Sequence, residues 1–409
     1  MTTETLQRAS SVREDDPVKK ILIVGPGANT RNLLNAPGGL RESGHHDIYY
    51  AGISTAPPAI EIPEGHLYEV DTPEGRESLQ RLLADEAFHA TYYSTPAEYH
   101  EKGIIDGLQE LAEGRGKVVV ATKPVVENTE QARRVRTAIK LTQRRLRERL
   151  GESYNPVETP PVLVHEHYLK KGAWVAVRKQ IPELSKRFGR LESAEVHIQE
   201  RRTAKDEGRE KVVGAGAFED LGPHALSLGL DAQRAINEDP DGLYLITDNS
   251  QMDVDFVRHD DPGFADNETG FRIRGTTQVI DKKTADTHEL NFVWCGGKGL
   301  IDKKEVRLTF VDEMGVRTTI VADLIANRIV DVPDPARDLF PEVQYVDNGY
   351  GESVAAGLNG GIPKDNFQLY EDAEKVVLWG SKLTEKGRAK GAPIPYSGNK
   401  SIEDIFAAA

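Results

Sequence analysis

The sequence predicts an α/β plus α+β protein of two domains. A doubly wound parallel sheet comes first, followed by a domain built on a large, mainly antiparallel sheet. Three observations carry this expectation. Apolar strand-like runs alternate with helical patterns from residue 18 to 155, the signature of parallel strands with helical crossovers. The texture changes at Val157-Glu158-Thr159-Pro160-Pro161, a linker-like stretch that interrupts regular structure. Strand-like runs then succeed one another without regular helices between them, as antiparallel sheets require. At 409 residues the chain is also too long for one ordinary core. The expected boundaries are a disordered tail over 1–17, a first domain over 18–157 and a second over 158–409.

The first strand is Lys20-Ile21-Leu22-Ile23-Val24, ending in Gly25-Pro26-Gly27. Strand, glycine turn and helix together are the entry to a Rossmann-like dinucleotide-binding fold, although Thr30 stands where a third glycine is usual. Asp47 to Gly52 reads as the second strand, Ala90 to Tyr93 as another ending at Ser94-Thr95-Pro96, and Lys117 to Ala121 as a buried strand ending at Thr122-Lys123-Pro124. Gly103 to Glu113 is helical in pattern. Arg133, Arg134, Arg136, Lys140, Arg144, Arg145, Arg147 and Arg149 alternate with Val135, Ile139, Leu141, Leu146 and Leu150, which predicts an amphipathic helix with a solvated basic face. In the second domain, strands are expected at Ala194–Glu200, Phe271–Val279, Leu290–Trp294, Glu305–Val311 and Arg317–Val321, and helices near Asp220–Asn237 and Phe367–Lys382. The stretch from Gly387 to Ala409 is expected to wrap the surface.

Composition narrows the function classes. Hydrophobic residues are 38% and charged residues 29%, as in a soluble globular protein. The net charge of -14 argues against a nucleic-acid binder. No stretch of about 18 apolar residues occurs, so no membrane span is expected, and Met1 to Asp16 lacks the apolar core of a secretory signal. A single cysteine, Cys295, allows no internal disulfide and fits a cytoplasmic protein; a small buried apolar residue is its ordinary reading.

Four segments carry chemistry. His165-Glu166-His167-Tyr168-Leu169-Lys170-Lys171 follows an apolar strand. His167, Tyr168 and Lys171 are hydrogen-bond donors suited to a compact anion such as a phosphate monoester, while Glu166 suits orienting a catalytic histidine. Asp220 and His224 are four residues apart and share one face of a helix. There His224 can act as the base that removes a hydroxyl proton; a first-turn charge and a packing histidine are the alternative. Lys123 lies at a strand's carboxyl end, where ligands bind in open parallel sheets. Lys298 and Lys303 lie in a glycine-rich hairpin and could complete a phosphate pocket, or form a lysine-rich surface turn.

Taken in order, these segments resemble the glucose-6-phosphate dehydrogenase family over nearly the whole chain. His167-Tyr168-Leu169-Lys170-Lys171 is similar to its His-Tyr-Leu-Gly-Lys signature, with Lys170 in place of the glycine. Thr122-Lys123-Pro124, the Gly216 to His224 segment and the Gly297-Lys298 to Lys303 hairpin resemble its other site elements. Tyr350-Gly351-Glu352 and Pro395 to Gly398 echo its C-terminal region. The resemblance implies an NAD(P)-dependent dehydrogenase that oxidises a hydroxyl of a sugar phosphate such as glucose 6-phosphate. His224 is then the base, Glu166 its orienting partner and Lys123 a bridge between substrate and cofactor. Phosphate falls to His167, Tyr168, Lys171, Lys298 and Lys303, and sugar hydroxyls to Glu200 and Asp220. The cofactor, NADP or NAD, is expected at Gly25, Gly27, Asn29, Thr30, Ser54, Thr55, Ser94, Thr95, Pro96, Lys123 and Pro124. No metal is expected, and a homodimer or homotetramer is.

Departures point elsewhere. Gly222-Pro223-His224 resembles the broader group of glucose–fructose and inositol dehydrogenases, which implies a non-phosphorylated sugar or cyclitol as the alternative substrate. Thr122 replaces the family's glutamate, and the first glycine turn is shortened. Neither an arginine nor an acidic residue follows Gly52, so NAD and NADP both stay open. A catalytically silent cofactor-binding partner is the third reading.

Overall fold

The computed structural model describes residues 18–35, 40, 46–52, 58, 60–85, 88–201, 216–237, 243–246, 252–260, 268–281, 285–299, 301–330, 332–342, 345, 368–398 and 400–408. The expected tail, Ser54, Thr55 and Tyr350-Gly351-Glu352 lie outside them, as do the side chain of Asn29 and the glycine at 214. The chain divides into two compact units. Met1–His167 with Asn348–Val377 forms one, and Tyr168–Asp347 with Leu378–Ala409 the other. The division falls inside the histidine-rich run, ten residues beyond the expected boundary at 157, because Val162–His165 is a strand of the first sheet.

In the first unit, β1 (Lys19–Val24), α1 (Ala28–Asn35), β2 (His46–Gly52), β3 (Leu67–Glu69), α2 (Pro73–Asp85), β4 (Phe88–Tyr93), α3 (His100–Glu113), β5 (Gly116–Thr122), α4 (Thr129–Leu150) and β6 (Val162–His165) follow in order. The strands form a parallel sheet in the order β6-β5-β4-β1-β2-β3. The order reverses between β1 and β4, which makes that edge the topological switch point. Ile21, Ile23, Val120 and Val164 are fully buried, as continuous apolar strands covered on both faces should be. Helix α4 buries Ala132, Val135, Ile139, Thr142 and Leu146. Leu141 and Leu150, expected on that apolar stripe, are instead exposed by 57% and 44%. Leu141 falls outside that stripe, whereas Leu150, in angular line with Ala132, is the last residue of the helix.

The second unit corrects the expectation of strands without helices. After the short turn His167–Lys170 comes α5 (Gly172–Phe188), which buries Ala173, Trp174, Val177, Ile181, Leu184 and Phe188 at helical spacing. Then follow β7 (Arg190–Arg201), α6 (Ala217–Asn237), β8 (Leu243–Ile246), β9 (Asp253–His259), β10 (Gly270–Asp281), β11 (Thr287–Gly299), β12 (Lys303–Val311), β13 (Arg317–Asp323) and β14 (Arg328–Val330). The chain then adds β15 (Gln368–Leu369) antiparallel to β6 of the first sheet. It ends with α7 (Tyr370–Ala389), β16 (Ile394–Tyr396) and α8 (Ile402–Ala408). The second sheet has nine strands: β14-β13-β12-β7-β11-β10-β9-β16, with β8 paired to β10. Only the β7–β11 and β9–β16 pairings are parallel.

Helices α5 and α6 pack together and on this sheet. Helix α8 packs on β10 and β11, where Ile402, Ile405 and Phe406 are buried. The C-terminal stretch therefore inserts three apolar side chains into a core instead of only wrapping the surface. Among the described residues, no helix is long and apolar enough to cross a membrane.

Candidate active site

In the first unit Gly25, Gly27, Thr30, Ser94 and Thr95, among the expected cofactor residues, lie at the switch point. Gly25 has φ +90°, and a Cβ there would lie 2.9 Å from Thr95 Cγ2, so only glycine fits. A Cβ on Gly27 would meet nothing within 4 Å, which leaves the backbone open to a ligand. Thr30, in place of a third glycine, donates its hydroxyl to the Gly25 carbonyl at 2.8 Å and so ties helix α1 to the turn. The Ser94 amide donates to Val24 O at 2.8 Å, joining the ends of β1 and β4. The hydroxyls of Ser94 and Thr95 are buried without a hydrogen-bond partner. Unsatisfied buried hydroxyls at a strand-end crevice fit a polar ligand such as a phosphate-bearing dinucleotide.

Two neighbouring strand ends carry the chemical residues of this unit. Lys123 follows β5, and its peptide bond to Pro124 is cis. Buried His100 donates from Nδ1 to Pro124 O at 3.1 Å, and burial pushes its pKa down, keeping it neutral. After β6, Glu166 is only 1% exposed, and one of its oxygens lies 4.0 Å from His167 Nδ1. β6 ends at His165, and after Glu166 the residues His167–Lys170 form a tight 3₁₀ turn.

The second unit gathers a different set, and strand parity decides its membership. Along β7, Val196, Ile198 and Glu200 share a face with Trp294, Gly296 and Lys298 of β11, their partners in register. The opposite face carries His197 and Gln199, in register with Cys295 and Gly297. Helix α6 lies over the first face. Asp220 and His224 project from its buried side, as their four-residue spacing predicts.

There the Tyr168 and His224 rings meet edge to face, with centroids 4.6 Å apart. Lys298 Nζ pairs with Asp220 Oδ2 at 2.9 Å, and Lys304 Nζ pairs with Glu200 Oε1 at 2.9 Å. Lys304 also lies 5.5 Å from the centroid of the Tyr168 ring, within cation–π range. His224, Glu200 and Lys298 are buried.

Lys303, expected beside Lys298, is not there. It pairs in register with Gln199 on the opposite face, and its ammonium binds Glu403 at 2.8 Å and Glu305 at 3.1 Å. Lys304 takes its place. One residue along a strand reverses the face, and the sequence carries two adjacent lysines with nothing to choose between them. Asp231 was also missed. It sits seven residues after His224, on the same side of α6, and accepts from Trp174 Nε1 and Arg178 Nη1, each at 2.8 Å.

No family model and no curated protein matches the sequence. Solved structures do match. An oxidoreductase from Sinorhizobium meliloti superposes with a TM-score of 0.58 at 13% identity, over 92% of this chain and 99% of that one. The WlbA dehydrogenase from Bordetella pertussis, solved with NADH and UDP-GlcNAcA, gives 0.57 at 14% identity over 93% and 99%. A myo-inositol dehydrogenase from Corynebacterium glutamicum gives 0.56 at 12% identity over 91% and 97%. The resemblance to glucose-6-phosphate dehydrogenases finds no support in them, whereas the inositol-dehydrogenase side of the sequence resemblance does. The chain shares the fold of these oxidoreductases, with a parallel sheet followed by a mainly antiparallel one.

Proposed function

We propose that this protein is an NAD(P)-dependent dehydrogenase acting on a hydroxyl of a non-phosphorylated sugar, cyclitol or related polyol. The observation that carries the substrate class is the pairing of charge around His224. Lys298 is matched by Asp220 and Lys304 by Glu200. A phosphate dianion favours cations in excess, and these two are already balanced by carboxylates. Ammonium donors beside carboxylate acceptors suit hydroxyl groups, each of which donates and accepts. The phosphate-pocket expectation also needed Lys303, which binds Glu403 instead.

A bound nicotinamide dinucleotide would accept hydride from the carbinol carbon. The residues of this chain do the rest. His224 takes the hydroxyl proton as the C=O bond forms, and its ring is held edge-on by Tyr168. Asp220 and Glu200 accept hydrogen bonds from neighbouring hydroxyls, while Lys298 and Lys304 hold both carboxylates in place. Gly25, Gly27, Ser94 and Thr95 are the residues that would hold the dinucleotide, with Lys123 toward its reactive end.

The similarity in fold to dehydrogenases solved with NADH and with a nucleotide sugar supports this reading. The test is a spectrophotometric screen of NAD and NADP against free sugars, cyclitols, nucleotide sugars and sugar phosphates. The expected result is reduced nicotinamide with a non-phosphorylated polyol or nucleotide sugar. Turnover confined to monophosphate esters would overturn the substrate class, and cofactor binding with no reduction across the panel would favour a silent partner.

A further inference from the structure

Lys171 occupies the N-cap position of α5, with φ −59° and ψ 124°, and makes no side-chain capping bond. It is chemically unsuited to that position. An ammonium has no lone pair to accept a helix N–H, and its charge faces the positive end of the helix dipole. The first turn of α5 holds no acidic residue to offset this. Locally the Lys171 amide donates to Tyr168 O at 3.3 Å and the Val175 amide to Lys171 O at 3.0 Å, and neither bond satisfies the Ala173 amide near the start of the helix.

The missing cap comes from 154 residues away. Asn327 Oδ1 accepts from the Ala173 amide at 2.9 Å, where an ordinary N-cap side chain would bond. Asn327 is 3% exposed and has φ +51°, a left-handed conformation that asparagine tolerates and most residues do not. Its own position is held twice. Its amide donates to Tyr345 O at 2.9 Å, and its carbonyl accepts from Tyr345 N at 2.8 Å. The turn before it is closed by Asp323, whose Oδ1 accepts from the Ile325 and Ala326 amides at 2.9 Å. Asp231 on α6 binds Trp174 and Arg178, in the first two turns of α5.

We propose that Asn327 is a positioning residue for the substrate face. By capping α5 from a distant turn it lets a lysine stand at the N-cap position, and it fixes the Tyr168–Lys171 turn so that the Tyr168 ring stays against His224. The inference rests on the dehydrogenase reading for its functional consequence and on geometry alone for the cap.

Two variants separate the contributions. Asn327→Gly keeps the left-handed backbone but loses both the cap acceptor and the donor to Tyr345 O, while Asn327→Asp keeps the cap acceptor and loses only that donor. In Asn327→Gly, amide exchange over residues 168–177 should quicken about fivefold, the loss expected for one cap. KM for the best polyol should rise by a similar factor, with kcat and the dissociation constant for reduced nicotinamide within about twofold. Asn327→Asp, which keeps the cap acceptor but not the donor to Tyr345 O, should lie between Asn327→Gly and the wild type in both exchange and KM. Unchanged exchange in Asn327→Gly, or faster exchange with an unchanged KM, would overturn the proposal. If the wild-type protein oxidises nothing in the panel, the dehydrogenase reading falls, and the exchange comparison still decides whether Asn327 caps α5.

Discussion

Two rows of buried charge run along the same strands of the second sheet, one on each face, and they are completed differently. On the α6 face, Glu200 and Lys298 meet Lys304 and Asp220 in separate pairs beside His224. On the α8 face, Lys303 binds Glu305 and Glu403, and His197 pairs with both Glu195 and Glu403. Gln199 closes this second network, donating to Glu403 Oε2 at 2.7 Å and accepting from the Ile402 amide at 3.1 Å. The α8 network is knitted around one carboxylate that belongs to the terminal helix, which is what an anchor requires. The α6 pairs sit against an imidazole and a phenol ring, which is what a hydroxyl-binding surface requires. Buried ion pairs alone thus indicate neither function nor stability; the partner that completes them does.

The largest expected effect lies at His224. His224→Asn should lower kcat by about a hundredfold to ten-thousandfold, the range for loss of a general base, with the melting temperature little changed. A kcat near the wild-type value would remove His224 from the chemistry. On the other face the effect should appear in stability. Glu403→Gln leaves His197 and Lys303 without their shared carboxylate, and thermal unfolding should fall by several degrees, about 2–4 °C per kcal/mol for a unit of this size. Its kcat/KM should stay within about twofold. Loss of activity without loss of stability would reverse the assignment of the faces.

A smaller effect follows from protonation. Burial alone would lower the pKa of His197, but the Cys295 thiol and the Glu195 and Glu403 carboxylates outweigh it and raise it from 6.5 to about 10. Because the folded value lies above the unfolded one, this stabilisation is complete below 6.5 and is lost as pH rises through about 10. Glu403 is shifted the other way. Burial opposes ionisation, but His197 and Lys303 hold its carboxyl well below the usual range, so its contribution is complete above the ordinary value of 4.5 and is lost progressively as pH falls below it. His197→Gln should flatten the fall in stability on the alkaline side, followed by denaturant titration across that window. A slope identical to that of the wild type would contradict the network. The smallest effect belongs to Cys295. It is fully buried, and burial raises its thiol pKa, so alkylation of the folded protein should be much slower than of the unfolded chain.

What was legible in the sequence followed from periodicity. Strands β1 and β5 carry continuous apolar runs because both faces are covered, and the shared face of Asp220 and His224 follows from helical spacing alone. Helix α5 was less legible. Pro182 lies inside it and its N-cap residue is a lysine, so only its C-terminal end, with Lys186, Arg187 and Gly189, carries a helix signal. The choice between Lys303 and Lys304 could not be read, because it depends on the register of β12 against β7. That register is set by packing across the sheet, beyond the reach of residue types. The Asn327 cap and the docking of α8 are likewise long-range, joining parts of the chain that no local pattern connects.

The central claim, that neighbouring lysines of β12 serve different faces, is tested most directly by comparing Lys303→Met with Lys304→Met. Lys304→Met should raise KM for the polyol substrate about tenfold or more through the unpaired Glu200, and Lys303→Met should lower the melting temperature with KM unchanged. A raised KM in Lys303→Met with none in Lys304→Met would contradict the account.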